Sequence, residues 1–207
     1  MPAPKAPTCT DTAVYDSLVR CSGKTLIPGN RKRFYYLPKA QIKTWPKLAT
    51  PATALEDVKT IASYEGNFVL EAEAKWLAID NSFNKGRYTH ETQGPGAGSN
   101  TVLNKYEAFY GDTDEAASAV AAQLINDDIV VAFQRRDGRF RILGNPMFDT
   151  VVTTSSDSGE GVTDESGMKI TFECSDTVLC PFYPGKLETV DGDLDGKTGL
   201  PLSPEAA

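Results

Sequence analysis

The chain holds one histidine, His90. An imidazole oriented by an acid is the usual base of a hydrolytic triad and a common zinc ligand, and His90 has Glu91 beside it and Asp80 upstream. No nucleophile elbow and no second ligand at a meaningful spacing accompanies it, so His90 reads as a histidine in a polar loop. A second pattern is Asp191-Gly-Asp-Leu-Asp-Gly, which sets Asp191, Asp193 and Asp195 at the first, third and fifth places of an EF-hand calcium loop, with Gly196 at the sixth. Leu202 stands at the twelfth place, where the bidentate Glu belongs, and Pro201 interrupts the exit. The run reads as a solvated acidic segment, with the three aspartates as a weak calcium candidate.

The remaining groups with chemical potential fare no better. Cysteines at 9, 21, 174 and 180 miss the CxxC spacing of metal knuckles and are too few for a disulfide scaffold, which leaves free, partly buried thiols. Gly94-Pro-Gly-Ala-Gly lacks the GK[ST] ending and strand-to-helix setting of a phosphate loop and reads as a flexible hinge. Arg31-Lys-Arg and Arg135-Arg136 are short basic runs suited to solvent or to a partner. No catalytic constellation survives, so neither an enzyme nor a cofactor is expected. The 21 Lys and Arg against 28 Asp and Glu leave a formal charge of -7, which argues against a surface built to grip nucleic acid but not against one that DNA slides past. No window reaches the roughly 18 apolar residues of a membrane helix, and the proline-rich start lacks a signal-peptide core; synthesis in the cytoplasm, with no membrane partner, is the expectation.

The elements that must position these residues are mostly strands. Residues 1–30 carry Pro2, Pro4, Pro7 and Pro28 and predict an extended arm with one short element near Val14 to Val19. Phe34 to Leu37, bounded by Pro38, predicts a strand, and Lys39 to Lys47 a short strand or bend. In Asn67 to Leu77, Phe68, Leu70, Ala72, Ala74 and Trp76 share one face while Glu71, Glu73 and Lys75 share the other, which predicts a half-buried strand. A polar loop is expected over 82–100, then a strand from Thr101 to Tyr110 at least partly covered on both faces. Asp112 or Thr113 can cap a helix over 113–126 whose stripe is Ala117, Val120, Ala121, Leu124 and Ile125. Ile129 to Arg135 and Arg139 to Gly144 form a hairpin around Arg136-Asp-Gly, a polar stretch fills Thr153 to Gly167, and Met168 to Cys174 predicts a last strand before an acidic tail over 186–207. The sum is a mainly β fold, an antiparallel β-sandwich or barrel with one flanking α-helix, long loops and extended terminal arms, its assembly domain spanning 31–185.

One set of phrases carries a resemblance: Cys21-Ser-Gly-Lys-Thr-Leu-Ile-Pro-Gly-Asn-Arg leading to Tyr35-Tyr-Leu-Pro-Lys, the strand ending Lys75-Trp76, Thr89-His-Glu-Thr-Gln-Gly, Leu103-Asn-Lys, Asn126-Asp-Asp-Ile-Val and Arg136-Asp-Gly-Arg-Phe-Arg-Ile-Leu-Gly-Asn. Over most of residues 20 to 185 it resembles virion structural proteins of tailed bacteriophages of the tail-tube, tail-hub or head-to-tail ring type. The resemblance implies a β-sandwich subunit that assembles with itself into a hexameric or larger ring, contacts adjacent tail or neck proteins, and lets genomic DNA pass without tight binding. It implies no catalytic residues. On this reading the long loop, with Tyr88, His90, Glu91, Gly94, Gly96 and Gly98, reaches the neighbouring subunit, and Glu71 and Glu73 on the wet face of their strand repel DNA in the lumen. The alternative from another class is a non-catalytic β-sandwich module that binds carbohydrate or calcium, with Trp45, Trp76, Tyr110 and the acidic tail as its binding features; a small enzyme using His90 ranks last.

Overall fold

The computed structural model describes residues 27–50, 57–82, 84–96, 98–161 and 163–202, together with 17–18, 22–23 and 25. The expected arm over 1–30 lies mostly outside them, including most of its expected short element near Val14 to Val19. In chain order the elements are β1 (Asn30–Pro38), a 3-10 turn (Lys39–Gln41), β2 (Ile42–Thr44), β3 (Lys47–Leu48), a second 3-10 turn (Val58–Ala62), β4 (Tyr64–Glu65), β5 (Val69–Leu70), β6 (Leu77–Asp80), β7 (Arg87–Gln93), β8 (Thr101–Tyr110), α1 (Glu115–Leu124), β9 (Ile129–Arg135), β10 (Phe140–Leu143), β11 (Thr150–Asp157), β12 (Gly167–Asp176), β13 (Phe182–Tyr183), β14 (Lys186–Thr189) and β15 (Gly192–Asp195).

Strand β9 is the centre. Its run Ile-Val-Val-Ala-Phe is apolar without alternation because both faces are covered: Ile129, Val131 and Phe133 enter one core, Val130 and Ala132 another. Around it lies a five-stranded sheet in the order β13-β10-β9-β1-β6. One face packs on a four-stranded antiparallel sheet in the order β11-β12-β8-β7, whose Tyr106, Ala108, Ile170 and Phe172 meet Phe34 and Phe133 in the first core. The fold is a mainly β sandwich with one α-helix, as the alternation predicts. The other face is roofed by the short pairs β2–β5 and β3–β4 and by the hairpin β14–β15, with Trp76, Phe68, Tyr183 and Leu187 in the second core. Among the described residues no helix is long and apolar enough to cross a membrane.

Several expectations need correction. The strand expected over Asn67 to Leu77 is broken: the Ala74 N–H donates to the Glu71 carbonyl at 3.1 Å and Glu73 sits at φ 65°, so a turn separates β5 from β6. Phe68 and Trp76 share a core, as alternation also predicts, because the turn returns both to it. Trp76 then pairs with the end of β14, its N–H donating to the Glu188 carbonyl at 2.9 Å and its carbonyl accepting from Val190 at 3.1 Å. The tail expected from 186 is instead a folded hairpin whose Leu187 is fully buried. The polar stretch from Thr153 begins as the second half of β11, and the expected 82–100 loop is half strand, since β7 pairs with β8 from Arg87↔Glu107 to Gln93↔Thr101.

Two features are close to expectation but differ in detail. The helix is shorter and capped by Asp114, whose Oδ1 accepts from the Ala117 N–H at 2.7 Å. Ala117 and Leu124 are buried in the first core and Val120 and Ala121 are packed against it, while Ile125 is exposed. The β9–β10 hairpin has positive φ only at Gly138 (97°), with Gly138 N–H to Arg135 carbonyl and Arg135 N–H to Arg139 carbonyl both at 3.0 Å. This is a three-residue loop with a glycine bulge, not a two-residue type I′ turn, which would need positive φ at Asp137 as well.

Candidate assembly surface

The four-stranded sheet turns Tyr106, Ala108, Ile170 and Phe172 inward, so Thr89, Lys105, Glu107, Lys169 and Glu173 stand on its outer face. There Lys105 Nζ meets Glu173 at 2.8 Å and Glu107 at 3.7 Å, and Lys169 Nζ meets Glu107 at 3.0 Å. The hydrogen bond to Glu173 raises the Lys105 pKa, and the bond from Lys169 lowers that of Glu107. With Arg87 opposite Glu107, Glu91 opposite Leu103 and Asp157 opposite Gly167, this face carries three cations and four anions. The face is near charge balance, and Lys105, Lys169, Glu107 and Glu173 pair within it.

Both edges of this sheet are open among the described residues, since β7 pairs only with β8 and β11 only with β12. An edge presents unpaired N–H and C=O groups, which proteins commonly blunt with lysine, proline or a bulge. Strand β11, Thr-Val-Val-Thr-Thr-Ser-Ser-Asp, has none of these and leaves Val151 58% exposed. The Thr150 N–H donates to Asp128 Oδ1 at 2.9 Å, away from β12. Backbone groups alternate sides, so the N–H groups of Val152, Thr154 and Ser156 also face outward. At the foot of this strand Met147 and Phe148 are exposed, while Lys39 fixes the corner through Asp128 at 2.7 Å and the Phe148 carbonyl at 3.0 Å. Sequence reading passed over β11 because its polar second half shows no apolar alternation; the Thr and Ser content was the available signal.

The residues expected in one reaching loop divide between a strand and a turn. Tyr88 lies in β7 with its ring 5.2 Å from Phe133; its hydroxyl donates to Asn104 Oδ1 at 2.8 Å and accepts from the Cys180 N–H at 3.2 Å, and burial pushes its pKa up. His90 is exposed, its ring 6.0 Å from that of Tyr88. Glu91 is exposed on the outer face. Gly94, Gly96 and Gly98, at φ 134°, 143° and 89°, form the turn, in which Asn100 Oδ1 accepts from the Gly96 N–H at 3.1 Å. Glu71 and Glu73 are exposed at the turn between β5 and β6, not on a strand face.

The three aspartates of the C-terminal hairpin have separate partners. Asp191 pairs with Arg33 Nη1 at 2.8 Å, Asp193 with Lys186 Nζ at 3.2 Å, and Asp195 accepts from Thr198 Oγ1 at 2.7 Å. Among the described residues no group of three or more His, Cys, Asp and Glu is placed to hold a metal ion. Cys174 and Cys180 are buried free thiols, and burial raises Cys174 to about 11, which leaves it protonated and unreactive at neutral pH. Trp76 is buried and Trp45 packs against the same core, its ring 5.3 Å from Phe68, so neither forms an exposed aromatic platform; Tyr110 packs partly buried on the first core.

No protein-family model matches this chain, and no curated protein or solved structure matches it either. What the geometry defines is a β-sandwich with an unblunted sheet edge and an outer face on which lysines and glutamates pair with one another.

Proposed function

We propose that the chain is a non-enzymatic virion structural protein of a tailed bacteriophage, a tail-tube, tail-hub or neck ring subunit that closes into a ring with copies of itself around the DNA channel. The observation that carries this reading is the pair of open edges on one all-antiparallel sheet. The order β11-β12-β8-β7 alternates in direction, so β11 of one copy meets β7 of the next antiparallel. The contact joins two different surfaces, and such a heterologous contact closes into a ring when the rotation allows.

Roughly six copies would supply about 24 strands; at ~4.8 Å spacing and ~40° tilt the backbone circle is about 48 Å across, wide enough for a DNA duplex. The outer face of the four-stranded sheet would line it. Because Lys105 and Lys169 are already paired with Glu173 and Glu107, few cations are left to retain phosphates, which suits DNA that must slide. This assigns the lumen to that face rather than to Glu71 and Glu73. The glycine turn at 94–100 extends beyond the ring wall toward the next ring or an adjacent tail or neck protein, and the working location is the virion. Size-exclusion chromatography with light scattering tests the reading: a mass of about six or more subunits supports it, and a strict monomer at millimolar concentration refutes it.

A further inference from the structure

Against a net charge of -7, one groove of about 540 Å³ is lined by three arginines and His90, with no carboxylate in its lining among the described residues. It lies where β7 leaves the mouth of the sandwich open over β9 and β10. On the inter-sheet face of these strands, beyond Phe133 and Leu143, come Arg135 and Arg141.

Arg141 is the unusual member. Among the described residues its buried Nε has no hydrogen-bond partner and the side chain forms no ion pair. Its guanidinium lies 4.3 Å from the centre of the Phe182 ring and 5.3 Å from that of Tyr88, and burial depresses its pKa. Arg135 and Arg139 also stand over Phe182, at 5.7 and 4.5 Å. Asp137 neutralises Arg139 at 2.8 Å but reaches Arg135 only at 3.5 Å, so the Arg135 charge is incompletely matched. A partly buried cation without its anion is unfavourable, and two guanidinium groups lining one groove beside a stacked Tyr88–His90 pair suit a ligand with several acceptor oxygens.

We propose that this groove binds a phosphate group, with Arg141 and Arg135 as its forks and the Tyr88–His90 pair beside it. A carboxylate engages one fork and leaves the other unmatched; a phosphate presents enough oxygens for both. A free nucleotide and a nucleic acid strand share this chemistry. The site does not depend on ring formation and is present in a single subunit.

The test is calorimetry of the full chain with three probes: inorganic phosphate, adenosine monophosphate and a ten-residue thymidylate strand. At least one binds, and Arg141→Met weakens it by about tenfold or more, with Arg135→Gln giving a smaller loss. Equal affinity for the strand and the mononucleotide identifies a free phosphate ligand; a strand bound about tenfold tighter, with affinity falling as salt rises, identifies nucleic acid. A second readout uses the wild type alone: because His90 is the sole histidine, its ring gives one imidazole NMR signal, which must shift as the bound probe is added. No binding by any probe up to about 10 mM, an unmoved His90 signal, a folded Arg141→Met variant of unchanged affinity, or displacement of the bound probe by polyglutamate of equal charge each overturns the proposal.

Discussion

Replacing Thr154 by proline separates the assembly edge from the subunit fold. Thr154 lies in the middle of β11, paired in register with Ile170, and the alternation set by Thr150 points its N–H away from β12. Proline on an outward-facing edge position takes no bond from its own sheet and is tolerated there, so the subunit should lose about 1 kcal/mol or less. The intersubunit ladder should suffer much more. Val152, Thr154 and Ser156 each offer one N–H and one C=O, about six bonds worth ~1 kcal/mol each, or about 6 kcal/mol for the contact. Proline deletes one donor and its ring pushes the incoming strand away from the adjoining pair, about half the ladder. A loss of about 3 kcal/mol corresponds to roughly a hundredfold in the dissociation constant of each contact. Sedimentation velocity should find monomer at concentrations where the proposed ring is expected of the parent, with circular dichroism and Tm almost unchanged. Assembly at the parent's concentration would refute the edge argument.

Three further predictions follow from burial and backbone geometry. Ala117→Asp, at a site 5% exposed in the first core, should lower stability by about 3 kcal/mol, and Ala121→Asp, only partly buried, by clearly less; equal thermal unfolding of the two variants would contradict the packing of α1. Burial raises the Asp176 pKa above its ordinary 3.8, so the folded state favours the protonated acid and stability falls as pH rises through that raised value; Asp176→Asn should therefore raise Tm at pH 7, with a gain that fades toward pH 3.8, and a gain independent of pH would show the charge is not the cause. Shortening the turn at 94–100 to two Gly-Ser residues should leave Tm within a few degrees, because loop closure depends weakly on length, while abolishing the stacking of ring on ring; stacking that persists would make the turn mere connection.

Much of the sandwich is legible in the sequence because period-two alternation and a glycine turn are local signals. β8 and β12 show the alternation, with apolar residues facing the first core, and the β9–β10 hairpin shows the glycine turn, β9 itself being apolar throughout because it faces both cores. The errors have physical causes. At Asn67 to Leu77 the same alternating pattern arises from two short strands around a turn, since Phe68 and Trp76 are drawn to one core by packing from β14 and β13, a long-range effect that no local window contains. Strands β7 and β11 are hidden because edge strands with a wet face need few apolar residues; Arg87 to Gln93 is polar almost throughout. The hairpin at 186–195 looked like a tail because its carboxylates are satisfied by Arg33 and Lys186, the first 158 residues away in the chain. The cationic groove was illegible for a related reason: Arg135 and Arg141 become neighbours only when β9 pairs with β10 and β7 crosses the sandwich mouth.

The central claim is that β11 of one copy pairs with β7 of the next to close a ring. Electron microscopy of the purified full chain, carried to a resolution that separates strands, tests it most directly. The account predicts closed rings with a central hole, a continuous antiparallel barrel of four strands per subunit, and Lys105, Glu107, Lys169 and Glu173 on the lumen wall. Isolated monomers, or rings whose subunits meet through other surfaces while β7 and β11 remain unpaired, would contradict it.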